Sequence, residues 1–214
     1  MWIKICGNTS LEDARFAAEC GADALGFIFA PSPRRVDSDL VRQITPRLPL
    51  QLEKYGVFVD AGFDEIVATV VACGLTGVQL HRSSDQLLPF RLRERFPQLS
   101  ILHVLHYKAP DFEQRLAELG QPEDAVLVDS STARAVGGTG TSFNWQEARN
   151  SFLRAAPHRR LIAAGGLAPE NVQQAIQTLH PWGVDVVSGV ESERGKKDPA
   201  RVLAFIRSAR EANS

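Results

Sequence analysis

The stretch Trp2-Ile3-Lys4-Ile5-Cys6-Gly7-Asn8-Thr9 puts a thiol at the end of a short strand, where a helix is about to begin. Side chains alternate along a strand, so Ile3 and Ile5 point one way and Lys4 and Cys6 the other. Gly7 stops the strand. Thr9 and Glu12 stand at capping-box spacing, which predicts a helix with Leu11, Ala14 and Ala18 as its apolar stripe and Gly21 as its stop. In parallel α/β folds, the end of a strand before its helix is where ligands are held and chemistry is done.

Seven more apolar or β-branched runs follow, at Ala24 to Phe29, Tyr55 to Val59, Gly77 to Leu80, Ser100 to Val104, Ala125 to Asp129, Leu161 to Gly165 and Gly183 to Ser188. Helical periodicity fills the intervals, as at Asp64 to Cys73, Asp85 to Phe96, Asp111 to Leu119, Pro169 to Leu179 and Pro199 to Arg210. Pro169 and Pro199 read as first-turn prolines, the latter behind Asp198 as N-cap, and Gly21, Gly74 and Gly120 read as helix stops. Eight strands each followed by a helix predict an α/β chain folded as one (β/α)8 TIM barrel domain over residues 1–214, with parallel strands and right-handed crossovers. An open doubly wound sheet is the alternative, but it usually carries a phosphate-binding glycine motif at its first turn, which here reads Cys6-Gly7-Asn8-Thr9.

Two strand-to-strand intervals are longer than the rest. The extra residues follow the second strand, as Ala30 to Val36, and the sixth, as Ser130 to Phe143 with Gly137-Gly138-Thr139-Gly140 inside it. Long loops in a compact barrel are usually functional, and these share the strands' C-terminal face with Cys6.

Composition narrows the partners. With 214 residues the chain can bury a large core, and 24 Lys plus Arg against 25 Asp plus Glu leave a formal charge of -1. That balance offers no attraction to nucleic acid or an anionic membrane, so a small-molecule substrate is expected. No basic-then-apolar leader opens the chain, and the uncharged run Ile66 to Leu80 is too short and Gly-interrupted to span a bilayer. A cytoplasmic protein is expected. Cys6, Cys20 and Cys73 are spaced for neither a disulfide framework nor a zinc site, and Cys20 and Cys73 read as small apolar residues at helix ends.

At the ends of strands seven and eight, Ala164-Gly165-Gly166-Leu167 and Val187-Ser188-Gly189-Val190 bring small residues and bare amides to the rim, which suits a phosphate. Gly138 and Gly140 could add an amide or close over the ligand. Asp129 finishes an otherwise apolar strand, three steps around the ring from strand one, so Cys6 and Asp129 can flank one ligand. A carboxyl with the ordinary pKa near 3.9 is only ~0.1% protonated at pH 7, so a general-acid role requires burial. A thiol near 8.5 needs a neighbouring cation or ligand to become thiolate. Lys4 shares a face with Cys6, and strand eight, carrying Asp185, neighbours strand one in a closed barrel; an ion pair between them below the site is expected. His81 ends strand four, and Arg34 or Arg35 on the second loop could grip a carboxylate through a bidentate fork.

These pieces, in order, resemble the phosphoribosylanthranilate isomerase family. The resemblance rests on Lys4-Ile5-Cys6-Gly7, Gly21-Ala22-Asp23-Ala24, Ser32-Pro33-Arg34, Val57-Phe58-Val59, Val78-Gln79-Leu80-His81, Gly137-Gly138-Thr139-Gly140, Gly165-Gly166-Leu167, Pro169-Glu170-Asn171-Val172, Val184-Asp185 with Ser188-Gly189-Val190-Glu191, and Gly195-Lys196-Lys197-Asp198. It implies a cofactor-free Amadori rearrangement in tryptophan biosynthesis, by a monomer or homodimer. Asp129 would be the general acid and Cys6 the general base, with Arg34 holding the anthranilate carboxylate, amides around Gly166 and Ser188-Gly189 holding the phosphate, and His81, Asp185, Gly138, Gly140 and Gly165 completing the substrate contacts. Arg35 stands where the family often has an aromatic residue, so Arg34 and Arg35 could exchange roles, and strand five with His103 and His106 matches the family poorly.

Two other readings compete. Another sugar-phosphate barrel such as an indole-glycerol-phosphate synthase is expected to use a lysine pair at strand ends, whereas strands three and four here end in Val59-Asp60 and Leu80-His81. A non-catalytic ligand-binding barrel would have no need of Cys6 and Asp129.

Overall fold

A computed structural model describes residues 1–82, 85–107, 111–119, 124–129, 145–156 and 158–212. The chain alternates strand and helix: β1 (Trp2–Ile5), α1 (Leu11–Glu19), β2 (Ala24–Ile28), α2 (Ser38–Ile44), β3 (Glu53–Val59), α3 (Phe63–Cys73), β4 (Gly77–His81) and α4 (Leu88–Arg95). It continues through β5 (Ser100–His106), α5 (Phe112–Glu118), β6 (Ala125–Asp129), α6 (Trp145–Ala155), β7 (Leu161–Ala164), α7 (Val172–Leu179), β8 (Gly183–Val186), the antiparallel pair β9 (Glu191–Glu193) and β10 (Lys196–Lys197), and α8 (Pro199–Glu211). Strands β1 to β8 pair in parallel in chain order, and β8 returns to β1 with Asp185 beside Lys4, closing a (β/α)8 barrel.

Local boundaries differ from the sequence reading in instructive ways. The cap of α1 is Ser10, whose side chain accepts from Asp13 N, one residue beyond the expected Thr9 and Glu12; Ala14 and Ala17 are the residues that helix buries. Pro169 lies in the turn ahead of α7, because Asn171 ties that turn together, accepting from Ala168 N (2.8 Å) and donating to the Gly166 carbonyl (2.9 Å). Asp198 caps α8 as expected, with Pro199 in its first turn. The β9–β10 hairpin has no counterpart in the sequence reading, since strands this short carry too few residues for an alternating pattern.

The barrel interior is filled from the bottom up. Trp2, Ala24, Tyr55, Leu102, Ala125 and Ile162 form its lower layers, with Val104, Leu127 and Ala164 above them. Trp2 and Tyr55 meet edge to face at 5.9 Å. A Cβ on Gly183 would come within 2.7 Å of the Trp2 ring, so the smallest residue sits beside the largest. A second, larger core lies between barrel and helices, with Ile3, Ile5, Leu25, Phe27, Ile66, Val184 and Phe205 fully buried. Among the described residues no helix is long and apolar enough to cross a membrane.

Candidate active site

Above the apolar plug the interior turns polar. Lys4, Gln79 and Asp185 are all buried on the inner wall, where an unpaired charge would be strongly destabilising. They satisfy each other: Lys4 Nζ donates to Asp185 Oδ1 at 2.7 Å and to Gln79 Oε1 at 2.8 Å. Burial works against the Lys4 ammonium, but Asp185 and Cys6 beside it outweigh that and hold its pKa above the usual lysine value. Lys4 is therefore a fixed cation under the site.

Cys6 follows β1 directly and is buried. A Cβ on Gly26 would collide with the Cys6 sulfur and lie 3.1 Å from Lys4 Nζ, so glycine in β2 is what makes room for the thiol and the ammonium together. Burial pushes the Cys6 thiol up, Lys4 pulls it down, and Asp185 adds to the rise; the outcome lies above the ordinary thiol value. Cys20 and Cys73, in contrast, sit at the ends of α1 and α3, away from this wall.

The same network fixes His81. The ammonium of Lys4 can only donate, so it claims the Gln79 carbonyl oxygen and leaves the Gln79 NH2 to face His81 Nε2 at 2.9 Å. That nitrogen must then be bare, and the neutral ring carries its proton on Nδ1. Burial, with His106 and Lys4 adding to it, lowers the His81 pKa to about 4, so the imidazole is uncharged at neutral pH.

Cys6, Gln79, His81, Asp129 and Asp185 line one cavity of about 210 Å³ at the C-terminal end of the barrel, with Ile28, Val57 and Leu127 as its apolar wall. Its rim is Ala164 to Leu167 and Val186 to Ser188. Gly165 and Gly166 both have positive φ (84° and 66°), which carries the chain sharply over the end of β7. Gly189 does not line the cavity; a Cβ there would fall on the Leu167 carbonyl oxygen, so its role is to let the two rim segments meet. Gly138 and Gly140 lie outside the described residues. No cluster of three potential metal ligands occurs among the described residues.

Arg34 has a partner that the sequence reading does not foresee. It lies beside the mouth, packed against Gly7, and its Nε and Nη2 donate to Glu191 Oε1 and Oε2 at 2.7 and 2.6 Å. Arg35 is exposed. Sequence reasoning gave Glu191 and Lys197 no role, because ESERGKK reads as a solvated charged turn; their side chains are nevertheless only 4% and 1% exposed.

Residues 3–208 match the family model for N-(5'-phosphoribosyl)anthranilate (PRA) isomerase. The chain belongs to this isomerase family. A relative in Pelobacter propionicus, named N-(5'-phosphoribosyl)anthranilate isomerase, is 39% identical over 99% of this chain and 97% of its own. Among solved structures, phosphoribosyl anthranilate isomerase from Thermotoga maritima superposes with a TM-score of 0.85 at 35% identity, covering 99% of both chains. A phosphoribosyl anthranilate isomerase in complex with reduced 1-(o-carboxyphenylamino)-1-deoxyribulose 5-phosphate matches at a TM-score of 0.82 and 33% identity, again over 99% of both. The family resemblance carried by scattered motifs thus extends through nearly the whole chain, including the poorly matching fifth strand.

Proposed function

We propose that this chain isomerises N-(5'-phosphoribosyl)anthranilate to 1-(2-carboxyphenylamino)-1-deoxyribulose 5-phosphate, with Asp129 as general acid and Cys6 as general base. The observation that carries this reading is that Cys6 and Asp129, far apart in sequence, line one cavity whose rim is the glycine-bearing ends of β7 and β8. Asp129 gives its proton to the furanose ring oxygen while the anthranilate nitrogen pushes its lone pair onto C1; the C1–oxygen bond breaks and an iminium forms. The iminium withdraws electrons from C2, so the Cys6 thiolate can take the C2 proton and the electron pair moves into the C1–C2 bond. Proton return to C1 and loss of the C2 hydroxyl proton give the ketose, with no net gain or loss of electrons.

The surroundings of Cys6, of the sugar and of the phosphate suit this chemistry. Cys6 is raised by burial, so the adjacent Lys4 cation, held by Asp185 and Gln79, is what makes its deprotonation attainable. Neutral His81 offers an Nδ1 proton to a sugar oxygen without adding charge. Amides at Gly165, Gly166 and Ser188 suit the phosphate, with Gly189 packing the rim behind them; Gly138 and Gly140, which the sequence reading adds, lie outside the described residues. The eight strands of one chain close around this cavity, so no partner chain is needed to complete it; a monomer or homodimer fits. We take residues 1–214 as one domain, acting in the cytoplasm on a small molecule.

The test is direct. Purified protein should convert fluorescent phosphoribosylanthranilate to product, and Cys6→Ala and Asp129→Asn should each lose more than about 100-fold in kcat while remaining folded. Wild-type turnover in either variant would remove that residue from the mechanism.

A further inference from the structure

Glu191 opens the hairpin beside the mouth, and both of its oxygens are engaged by one edge of Arg34, Nε at 2.7 Å and Nη2 at 2.6 Å. Among the described residues Arg34 Nη1 has no hydrogen-bond partner. A guanidinium carries donors along two edges, so a carboxylate on the Nε–Nη2 edge leaves the Nη1–Nη2 edge able to grip a second one. Lys197 Nζ, also buried, lies 3.3 Å from Glu191 Oε1 and donates to the backbone carbonyls of Cys6 (2.6 Å) and Val187 (3.2 Å). Two cations around one carboxylate leave this three-residue cluster with one surplus positive charge. A second carboxylate arriving there is attracted, even though Glu191 is already present.

We propose that Glu191 is a positioning residue for substrate selection: it locks one edge of Arg34 so that the other edge meets the ring carboxylate of the substrate, while Lys197 ties the pair to the backbone of Cys6. This rests on the isomerase reading given above. An arginine on a long loop ordinarily loses side-chain freedom when it grips a ligand. Glu191 removes that freedom before binding. Through Lys197, the group that recognises the carboxylate and the group that moves the C2 proton are held in one relation. Gly7 contributes, since a Cβ there would stand 2.9 Å from Arg34 Cδ and displace the side chain.

The test compares two substrates, N-(5'-phosphoribosyl)anthranilate and the same compound made from aniline, which lacks the ring carboxylate. Loss of a charged hydrogen-bonding partner predicts that Glu191→Gln raises KM for the first by about tenfold and leaves KM for the second within about twofold. Glu191→Asp, which keeps the buried charge on a shorter arm, should fall between, and it decides the matter if the glutamine variant does not fold. Arg34→Ala should raise KM for the anthranilate substrate further, and adding Glu191→Gln to it should cost nothing more, because two residues acting through one contact are not additive. Equal losses on both substrates, or additive losses in the double variant, would overturn the role of Glu191 alone. A wild-type protein that converts neither substrate would instead overturn the isomerase reading, and this inference with it.

Discussion

The two ends of the barrel interior bury polar groups on opposite terms. At the base, Tyr55 Oη lies 2.7 Å from both Glu53 Oε2 and Ser100 Oγ, donating to the carboxylate and accepting from the serine, and the surrounding Trp2, Leu102 and Ile162 are apolar. The tyrosine hydroxyl reaches outward toward the lower rim, while Trp2 Nε1 stays buried with no hydrogen-bond partner among the described residues. At the mouth, Lys4, Asp185, Gln79 and His81 bond to one another across the interior, and the cavity of about 210 Å³ lies above them. A mouth that was only being packed would not need three buried polar side chains with a half-buried histidine set against them. The difference teaches that Lys4, Asp185, Gln79 and His81 form a constellation whose members satisfy one another without reaching the rim.

The sharpest way to break this contrast is Lys4→Met. Removing one partner of a buried ion pair leaves Asp185 charged and unsolvated, which costs about 3–5 kcal/mol. Denaturant unfolding at pH 7 should register that loss. The same variant withdraws the cation that opposes the burial-driven rise of the Cys6 pKa, so the alkaline-rising limb of kcat/KM should move to higher pH. An unchanged limb would mean that Lys4 serves only the fold.

Acid separates the inner wall from the outer. His81 faces the cavity, whereas His103, on the other face of β5, packs toward Leu80, Leu87 and Arg115; both have pKa values lowered to about 4, chiefly by burial. In each case the folded value lies below the unfolded value of about 6.5, so the unfolded chain takes up protons first as pH falls. Stability from each group is intact above pH 6.5 and is lost between 6.5 and 4, on the order of 2 kcal/mol apiece by pH 5. His103→Leu should make the stability curve shallower over that range while leaving kcat and KM at pH 7 unchanged. A curve as steep as wild type would assign the acid loss to other groups.

The outer frame was the most legible part of the sequence, and the charges at the mouth the least. Eight short apolar runs separated by helical stretches leave few topologies open, and Asp129 stood out because a carboxylate ends Ala125-Val126-Leu127-Val128. The Lys4 to Asp185 pairing was legible for a related reason, since alternation and ring closure put both on the inner wall. Gln79 was not, because an amide inside Val78-Gln79-Leu80 shows no sign of which groups it will join. Arg34 was expected to reach a ligand directly, yet Glu191, distant in the chain and inside a charged run, takes one edge of it. Burial of a charge depends on what the fold lays over it, and periodicity does not report that. The capping shift from Thr9 to Ser10 has a smaller cause: both residues can cap, and backbone geometry selects between neighbours.

Tyr55→Phe is the smallest change and sharpens the contrast most cleanly. It keeps the ring that meets Trp2 and removes only the hydroxyl. Burial, then Glu53, raises the Tyr55 pKa, so the phenol is neutral at any pH of interest and its loss removes hydrogen bonds without removing a charge. Glu53 and Ser100 are only partly buried and can turn to water, so the cost should be about 1 kcal/mol in denaturant unfolding. Turnover and KM should match wild type, because among the described residues no hydrogen bond links this group to the Lys4 network. A drop in kcat would show that the base and the mouth are mechanically coupled through Trp2 and β1, and the division between a packed end and a chemical end would have to be redrawn.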